Sequence, residues 1–87
     1  MSIEVEFFGI PRSRAGVAKT SATGARLSEV LDDLAGRYPR LAEACFEGHR
    51  LRAGYVANLN GERFVTDPAT PLEAGDSLLI LSADAGG

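Results

Sequence analysis

The chain has 87 residues, of which 45% are hydrophobic and 24% are charged, so we expect a single folded domain rather than a disordered segment. Its net charge of -3 argues against sequence-independent nucleic-acid binding, which requires an excess of basic residues to neutralise phosphates. With a single cysteine and a single histidine, neither an internal disulfide nor a four-ligand zinc site is expected. The first residues contain no basic region and no long apolar run, which predicts a cytoplasmic protein without a membrane partner.

The N-terminal segment, residues 2–9, has the alternation of a strand with one buried face. Ile3, Val5 and Phe7 are separated by polar residues. Residues 10–16 contain a proline, two arginines and a glycine, and are expected to form a turn that leads into a second strand at residues 17–21. These segments together predict a hairpin.

The hydrophobic period then changes to that of an amphipathic helix. Apolar residues recur on one helix face at Leu27, Val30, Leu31 and Leu34. Pro39 is expected to end this helix near Tyr38, because the residue before a proline disfavours helical geometry. A second short helical stretch is expected at residues 41–47, and residues 49–54 are expected to be irregular.

The C-terminal third of the chain predicts further strands. Residues 55–65 contain Asn60-Gly61, a strong local signal for a hairpin turn. The last segment, residues 77–82, is apolar without alternation, which is typical of a central strand covered on both faces and often parallel to a neighbour.

The order of these elements predicts an α+β fold of the ubiquitin-like β-grasp type. We expect a mixed sheet of four to five strands with one main helix packed across it. The domain is expected to occupy residues 1–82, and residues 83–87 are expected to form a flexible tail that ends in Gly-Gly.

Several segments together resemble the MoaD/ThiS family of sulfur carriers. They are FFG followed by R and AG near the N-terminus, TGARLSEVLDDLAGRYPRL, LNGERF, TPLEAGDSLLIL and the terminal AGG. The resemblance extends over nearly the whole chain and depends on the order and spacing of the segments. It implies a protein cosubstrate that works with enzymes. This agrees with the sequence, in which no nucleophilic side chain is paired with a general base at catalytic spacing.

The resemblance also implies a chemical role for the C-terminus. An ATP-dependent adenylating enzyme would join AMP to the carboxylate of Gly87, and a sulfur donor would convert that carboxylate to a thiocarboxylate for a sulfur-accepting synthase. Ala83, Asp84, Ala85 and Gly86 would form the arm that enters the partner's active site, where glycine avoids side-chain clashes. ATP would be used by the activating enzyme, and the carrier itself would hold no permanent cofactor.

Besides sulfur transfer for cysteine or another sulfur-containing metabolite, three alternatives stay open: the small subunit of molybdopterin synthase, a protein modifier and a plain interaction domain. Molybdopterin synthase small subunits commonly have a Pro-Pro pair where Ser82-Ala83 stand here, so the resemblance favours the branch that carries sulfur for cysteine or another sulfur-containing metabolite. The same tail could instead be attached to lysines of other proteins, as ubiquitin-like modifiers are. The chain could also be a plain β-grasp interaction domain whose final glycines have no chemical role.

A carrier must present an apolar surface to its enzymes, and we expect this surface on the sheet face opposite the helix. Phe7, Leu79 and Leu81 are the candidates for this docking surface. Phe8 and Phe64, like Phe7, are expected to be core residues, although any one of the three could belong to the docking surface instead.

The remaining candidate residues have ordinary structural explanations. Cys45 is expected in the core or half-buried, because free cysteine often behaves as a small apolar residue. His49 is expected in a solvated loop, without a companion at metal or catalytic spacing. Four arginines could contact an acidic partner, but scattered surface positions are the favoured explanation for them: Arg12, Arg14, Arg50 and Arg52.

Overall fold

The computed structural model describes residues 2–84, which form a mixed five-stranded sheet with helices on one face. The elements in chain order are β1 (Ser2–Phe7), α1 (Ile10–Ala15), β2 (Lys19–Thr23), α2 (Leu27–Arg37), α3 (Pro39–Cys45), β3 (Phe46–Glu47), β4 (Arg50–Leu51), β5 (Tyr55–Leu59), β6 (Arg63–Val65) and β7 (Ser77–Ser82). The sheet has the strand order β2-β1-β7-β5-β6, and β3 pairs with β4 in a separate ribbon. This is the β-grasp architecture that the sequence predicts.

The apolar strand β7 lies in the middle of the sheet, as predicted from its lack of alternation. It is parallel to β1, with Val5 opposite Leu78, and antiparallel to β5, with Ala57 opposite Ile80. Because β1 and β7 run in the same direction, their C-terminal ends meet at the same edge of the molecule.

Helix α2 covers the inner face of the sheet with the four predicted residues, all of which are buried: Leu27, Val30, Leu31 and Leu34. Arg26 occupies the N-cap without a side-chain hydrogen bond. The loop before β7 supplies the missing acceptors, since the main-chain N–H of Leu27 donates to Thr70 O at 2.9 Å and that of Ser28 donates to Pro68 O at 2.9 Å. The helix can therefore begin at a residue that is a poor cap by itself.

The β5–β6 hairpin forms at the predicted turn. Asn60 and Gly61 have φ angles of 57° and 70°, and the N–H of Glu62 donates to Leu59 O at 3.0 Å. Both positive angles are favoured by the Asn-Gly pair, which explains why this local signal is reliable.

The prediction of a simple turn at residues 10–16 is wrong, because this segment forms α1. Pro11 lies in the first turn of α1, where its missing N–H costs no hydrogen bond, and its side chain is buried. Gly16 ends the helix with φ 79° and donates its N–H to Arg12 O. Proline and glycine therefore mark the two ends of a short helix, and β2 begins at Lys19 rather than at residue 17.

Smaller differences occur after α2. The second short helix begins at Pro39 rather than at residue 41, since the proline that ends α2 also fits the first position of α3. The last two residues of the stretch expected to be helical form β3 instead, and β3 pairs with β4 from the segment expected to be irregular, with Glu47 opposite Arg50. Within residues 2–84, no helix has the length and apolar character needed to cross a membrane.

Candidate docking face and tail exit

The sheet face turned away from α2 carries exposed apolar side chains. Phe8 is 52% exposed and Phe64 is 58% exposed, so the expectation that both are core residues is wrong. Strand alternation and register place five apolar residues on this face, and we call them the outer patch: Phe8, Val56, Phe64, Leu79 and Leu81. Exposed aromatic groups of this kind are typical of a protein interface.

The three predicted docking residues lie in different environments. Leu79 is half-buried on the outer face, and Leu81 lies on the same face but is 5% exposed. Phe7 is 2% exposed and packs into the core, where its ring forms an edge-to-face pair with that of Tyr38 at a centroid distance of 6.1 Å. The choice of Phe7 as a docking residue is therefore corrected by the structure, and Phe8 is the phenylalanine of this pair that faces outward.

The alternation of strand side chains between the two sheet faces could have identified the outward-facing residues that sequence reasoning missed. Phe8 follows Phe7, which belongs to the inward series of β1. Phe64 precedes Val65, which is buried, and Val56 precedes the buried Ala57. In each case the neighbour is the core residue, so the alternation assigns the missed residue to the other face.

The base of the C-terminal tail lies beside the outer patch. Ser82 is opposite Tyr55, and the N–H of Ala83 donates to Gly54 O at 2.8 Å, so the main chain is held as far as Ala83. Asp84 is exposed and is the last described residue. The predicted threading residues Ala85 and Gly86, and the predicted attachment residue Gly87, lie outside the described residues.

The register explains why the tail base and the outer patch are neighbours. Phe8 donates its N–H to Ile80 O at 3.1 Å, which extends the pairing of β1 beyond Phe7. Val56 is opposite Leu81, the residue before the end of β7. Residues 82–84, the last that the structure describes, therefore lie next to apolar side chains of the outer patch.

Two residues have possible reactivity, Cys45 and His49, and both make contacts within the domain. Cys45 is fully buried, and burial raises the pKa of its thiol. His49 is exposed, and a 2.8 Å hydrogen bond between its Nδ1 and Asp32 Oδ1 raises the pKa of the imidazole. Among residues 2–84, no group of three or more His, Cys, Asp or Glu side chains is arranged to hold a metal ion.

The predicted surface arginines are all exposed, but Arg52 also has a structural role. Its guanidinium donates to Phe46 O at 3.1 Å and Glu43 O at 3.3 Å, and it lies 3.5 Å from a carboxylate oxygen of Glu47. These bonds connect the segment before β5 to the end of α3.

Comparison with known proteins adds a sequence family and several similar structures. The model of the ThiS family matches residues 5–87, and no curated protein matches the chain. SAMP1 from Haloferax volcanii is 24% identical, with all of both chains covered and a TM-score of 0.80, which shows a shared fold. A chain of the Amycolatopsis orientalis BexX/CysO complex is 26% identical over 98% of this chain and 99% of that chain, with a TM-score of 0.80. Mycobacterium tuberculosis CysO is 27% identical over 93% of this chain and 98% of its own, with a TM-score of 0.77.

Proposed function

This chain belongs to the ThiS family, and we propose that it is a sulfur carrier whose Gly87 carboxylate is adenylated and then converted to a thiocarboxylate. The observation that carries the proposal is the outer patch at the base of the tail, combined with family membership that extends through residue 87. A protein cosubstrate needs a surface for docking and a terminal group for chemistry, and this arrangement would place them next to each other.

The proposed chemistry occurs in two balanced steps. A carboxylate oxygen of Gly87 attacks the α-phosphorus of ATP, which forms the acyl adenylate and releases pyrophosphate. Hydrosulfide then attacks the carbonyl carbon, AMP leaves, and the products are the thiocarboxylate and a proton. Adenylation is required because a free carboxylate is a poor electrophile, whereas AMP is a good leaving group. The carrier contributes the terminal carboxylate and its delivery, and the enzymes contribute the catalytic groups.

The proposed partners are an adenylating enzyme, a sulfur donor and a sulfur-accepting synthase. A similar chain occurs in a complex with a second protein, which supports action through partner proteins. We place the sulfur acceptor in the synthesis of cysteine or another sulfur-containing metabolite, because Ser82-Ala83 stand where molybdopterin synthase small subunits commonly have a Pro-Pro pair.

Intact mass spectrometry of the chain expressed in its own cells tests this function. Replacement of one oxygen by sulfur, absent in a control chain that lacks Gly87, is the expected result. The same change should appear in vitro when the adenylating enzyme, ATP and sulfide are supplied together, and it should require all three. An unmodified mass under both conditions would contradict the proposal.

A separate readout distinguishes a carrier from a protein modifier. Lysine-linked conjugates of the chain in cell extracts, lost when Gly87 is deleted, would indicate attachment to other proteins. A carrier instead gives the thiocarboxylate without conjugates, because its activated carbonyl passes sulfur onward rather than forming an amide.

A further inference from the structure

The outer face contains a hollow next to the outer patch. Its volume is about 230 Å³, and it lies over β7 between β1 and β5. Glu4 and Glu6 form the wall on β1, and Lys19 of β2 also lines the hollow. Asn58 lies on the β5 side, and Leu79 and Ser77 lie on the strand between β1 and β5. The hollow is therefore part of the sheet surface itself.

Small residues and the strand register explain why this space is open. Ser77 lies opposite Glu4, and Leu79 lies opposite both Glu6 and Asn58. The serine side chain is too short to fill the space over β7, and Gly61 at the hairpin turn adds no side chain to the rim. The result is a floor formed partly by Leu79 with polar groups around it.

Three charged side chains line the hollow, Glu4, Glu6 and Lys19, so two negative charges meet one positive charge and the net charge is acidic. Glu4 and Glu6 are exposed and point to the same face, because they are two residues apart on one strand. Lys19 lies opposite Glu6 on β2, yet among residues 2–84 neither glutamate forms an ion pair with any basic side chain. Lys19 can offset only one of the two carboxylate charges, and the remaining negative charge favours a cation from outside the domain.

An apolar floor below two carboxylates fits a long basic side chain, either lysine or arginine. Lysine and arginine place methylene groups along apolar surface while their charged ends remain with polar partners. The methylene groups would pack on Leu79, and the cationic group would lie between Glu4 and Glu6 within reach of the Asn58 carbonyl.

We propose that this hollow receives a lysine or arginine side chain of the adenylating enzyme when the enzyme holds the tail. The inference rests on the proposed function, and it names the chemistry by which the partner recognises the docking face. Leu79 belongs both to the hollow and to the outer patch, so an enzyme docked at the base of the tail would extend over the hollow as well. Because the net charge of the hollow is negative, the side chain of the enzyme that enters it should be basic.

The test compares the Glu4→Gln/Glu6→Gln double variant with the Glu62→Gln/Glu73→Gln control, whose exposed glutamates lie outside the hollow. The probe is the adenylating enzyme purified from cells that produce this chain, assayed by carrier-dependent exchange of pyrophosphate into ATP. We expect the KM for the double variant to rise about tenfold, which corresponds to about 1.4 kcal/mol. Its kcat should be unchanged, because Gly87 is intact.

The dependence of the KM on ionic strength gives a second readout. The wild-type KM should rise with ionic strength, and this dependence should be weaker in the double variant, because screening acts on the removed charge pairs. The control should behave as the wild type does. A double variant with the wild-type KM and salt dependence would overturn the inference while carrier activity stands. Absence of exchange and of thiocarboxylate with the wild-type chain would instead overturn the proposed function, and the inference with it.

Discussion

The main-chain N–H of Thr23 on the edge strand β2 donates a 2.8 Å hydrogen bond to Oδ2 of Asp33 on α2. One helical turn later, Arg37 donates to Ser21 O on the same strand at 2.6 Å. These two side chains join the helix to the sheet edge and occupy main-chain groups that an exposed edge would otherwise offer to another chain. They therefore serve both stability and protection from edge pairing.

Replacing this carboxylate should lower stability. Asp33→Ala removes the acceptor of the Thr23 N–H, and we expect the free energy of unfolding to fall by about 1 kcal/mol. Urea unfolding at neutral pH measures the change. The Glu62→Ala control removes an exposed carboxylate on the hairpin turn and should cost much less.

The effect of Asp33→Ala should depend on pH. The Thr23 N–H and then Arg37 hold the pKa of Asp33 below its ordinary value of 3.8. The carboxylate therefore stabilises the fold at all pH values above 3.8, and this contribution is lost as the pH falls through the lowered pKa of the folded state. The stability difference between the wild type and Asp33→Ala should accordingly shrink in acid. An equal difference at neutral and strongly acidic pH would contradict this explanation.

Two glycines, Gly24 before α2 and Gly36 inside it, should respond oppositely to alanine. A Cβ at Gly24 would lie 2.8 Å from the main-chain nitrogen of Val30, so the helix or the loop must move. A Cβ at Gly36, inside α2, would meet nothing within 4 Å. We expect Gly24→Ala to cost about 1–3 kcal/mol through overpacking, and Gly36→Ala to gain about 0.5–1 kcal/mol through helix propensity. Thermal unfolding of the two variants measures both effects, and equal shifts in Tm would refute the structural distinction.

The Cys45 thiol should be unreactive in the folded protein. It is fully buried, and burial raises its pKa, so little of the reactive thiolate is present or accessible. We expect labelling by a disulfide reagent to be roughly a hundredfold slower under native conditions than in denaturant, because reaction requires local opening. Rapid native labelling would show that the core around α3 is open.

The outer patch should matter for partners more than for folding. Phe8→Ala and Phe64→Ala remove side chains that are more than half exposed, so each should change the free energy of unfolding by less than about 1 kcal/mol. Each should raise the carrier's KM with the adenylating enzyme by about tenfold, because aromatic side chains often dominate interfaces. Ile10→Ala, which removes an exposed apolar side chain from α1, is the matched control. Equal effects at all three sites would indicate that the patch is not the docking surface.

Much of the fold could be predicted because its strongest signals are local. The alternation in β1, the helical period of α2 and the Asn60-Gly61 turn each depend on residues close together in the chain. The segment of α1 was harder, because Pro11 and Gly16 occur in turns as well as at helix ends. Pro11 is buried and Ala15 packs against the core, and these tertiary contacts select the helix.

The candidate site could be predicted only in part. The central position of β7 and the outward position of Leu79 are consistent with the sequence pattern. Phe7 and Phe8, in contrast, are chemically identical neighbours, and a composition argument cannot choose between them. Only the alternation of inward and outward residues along the whole of β1 assigns one ring to the core and the other to the surface.

The sequence by itself determined the periods of the elements, the positions of the main turns and the family resemblance, because these depend on the order of neighbouring residues. The tertiary structure decided which strands became neighbours. Glu6 and Asn58 lie far apart in the chain, yet both are opposite Leu79 because β7 inserts between their strands. The hollow over the N-terminal half of β7, and the outer patch beside the tail base at the C-terminal end of β7, both follow from that long-range register, which no local pattern encodes.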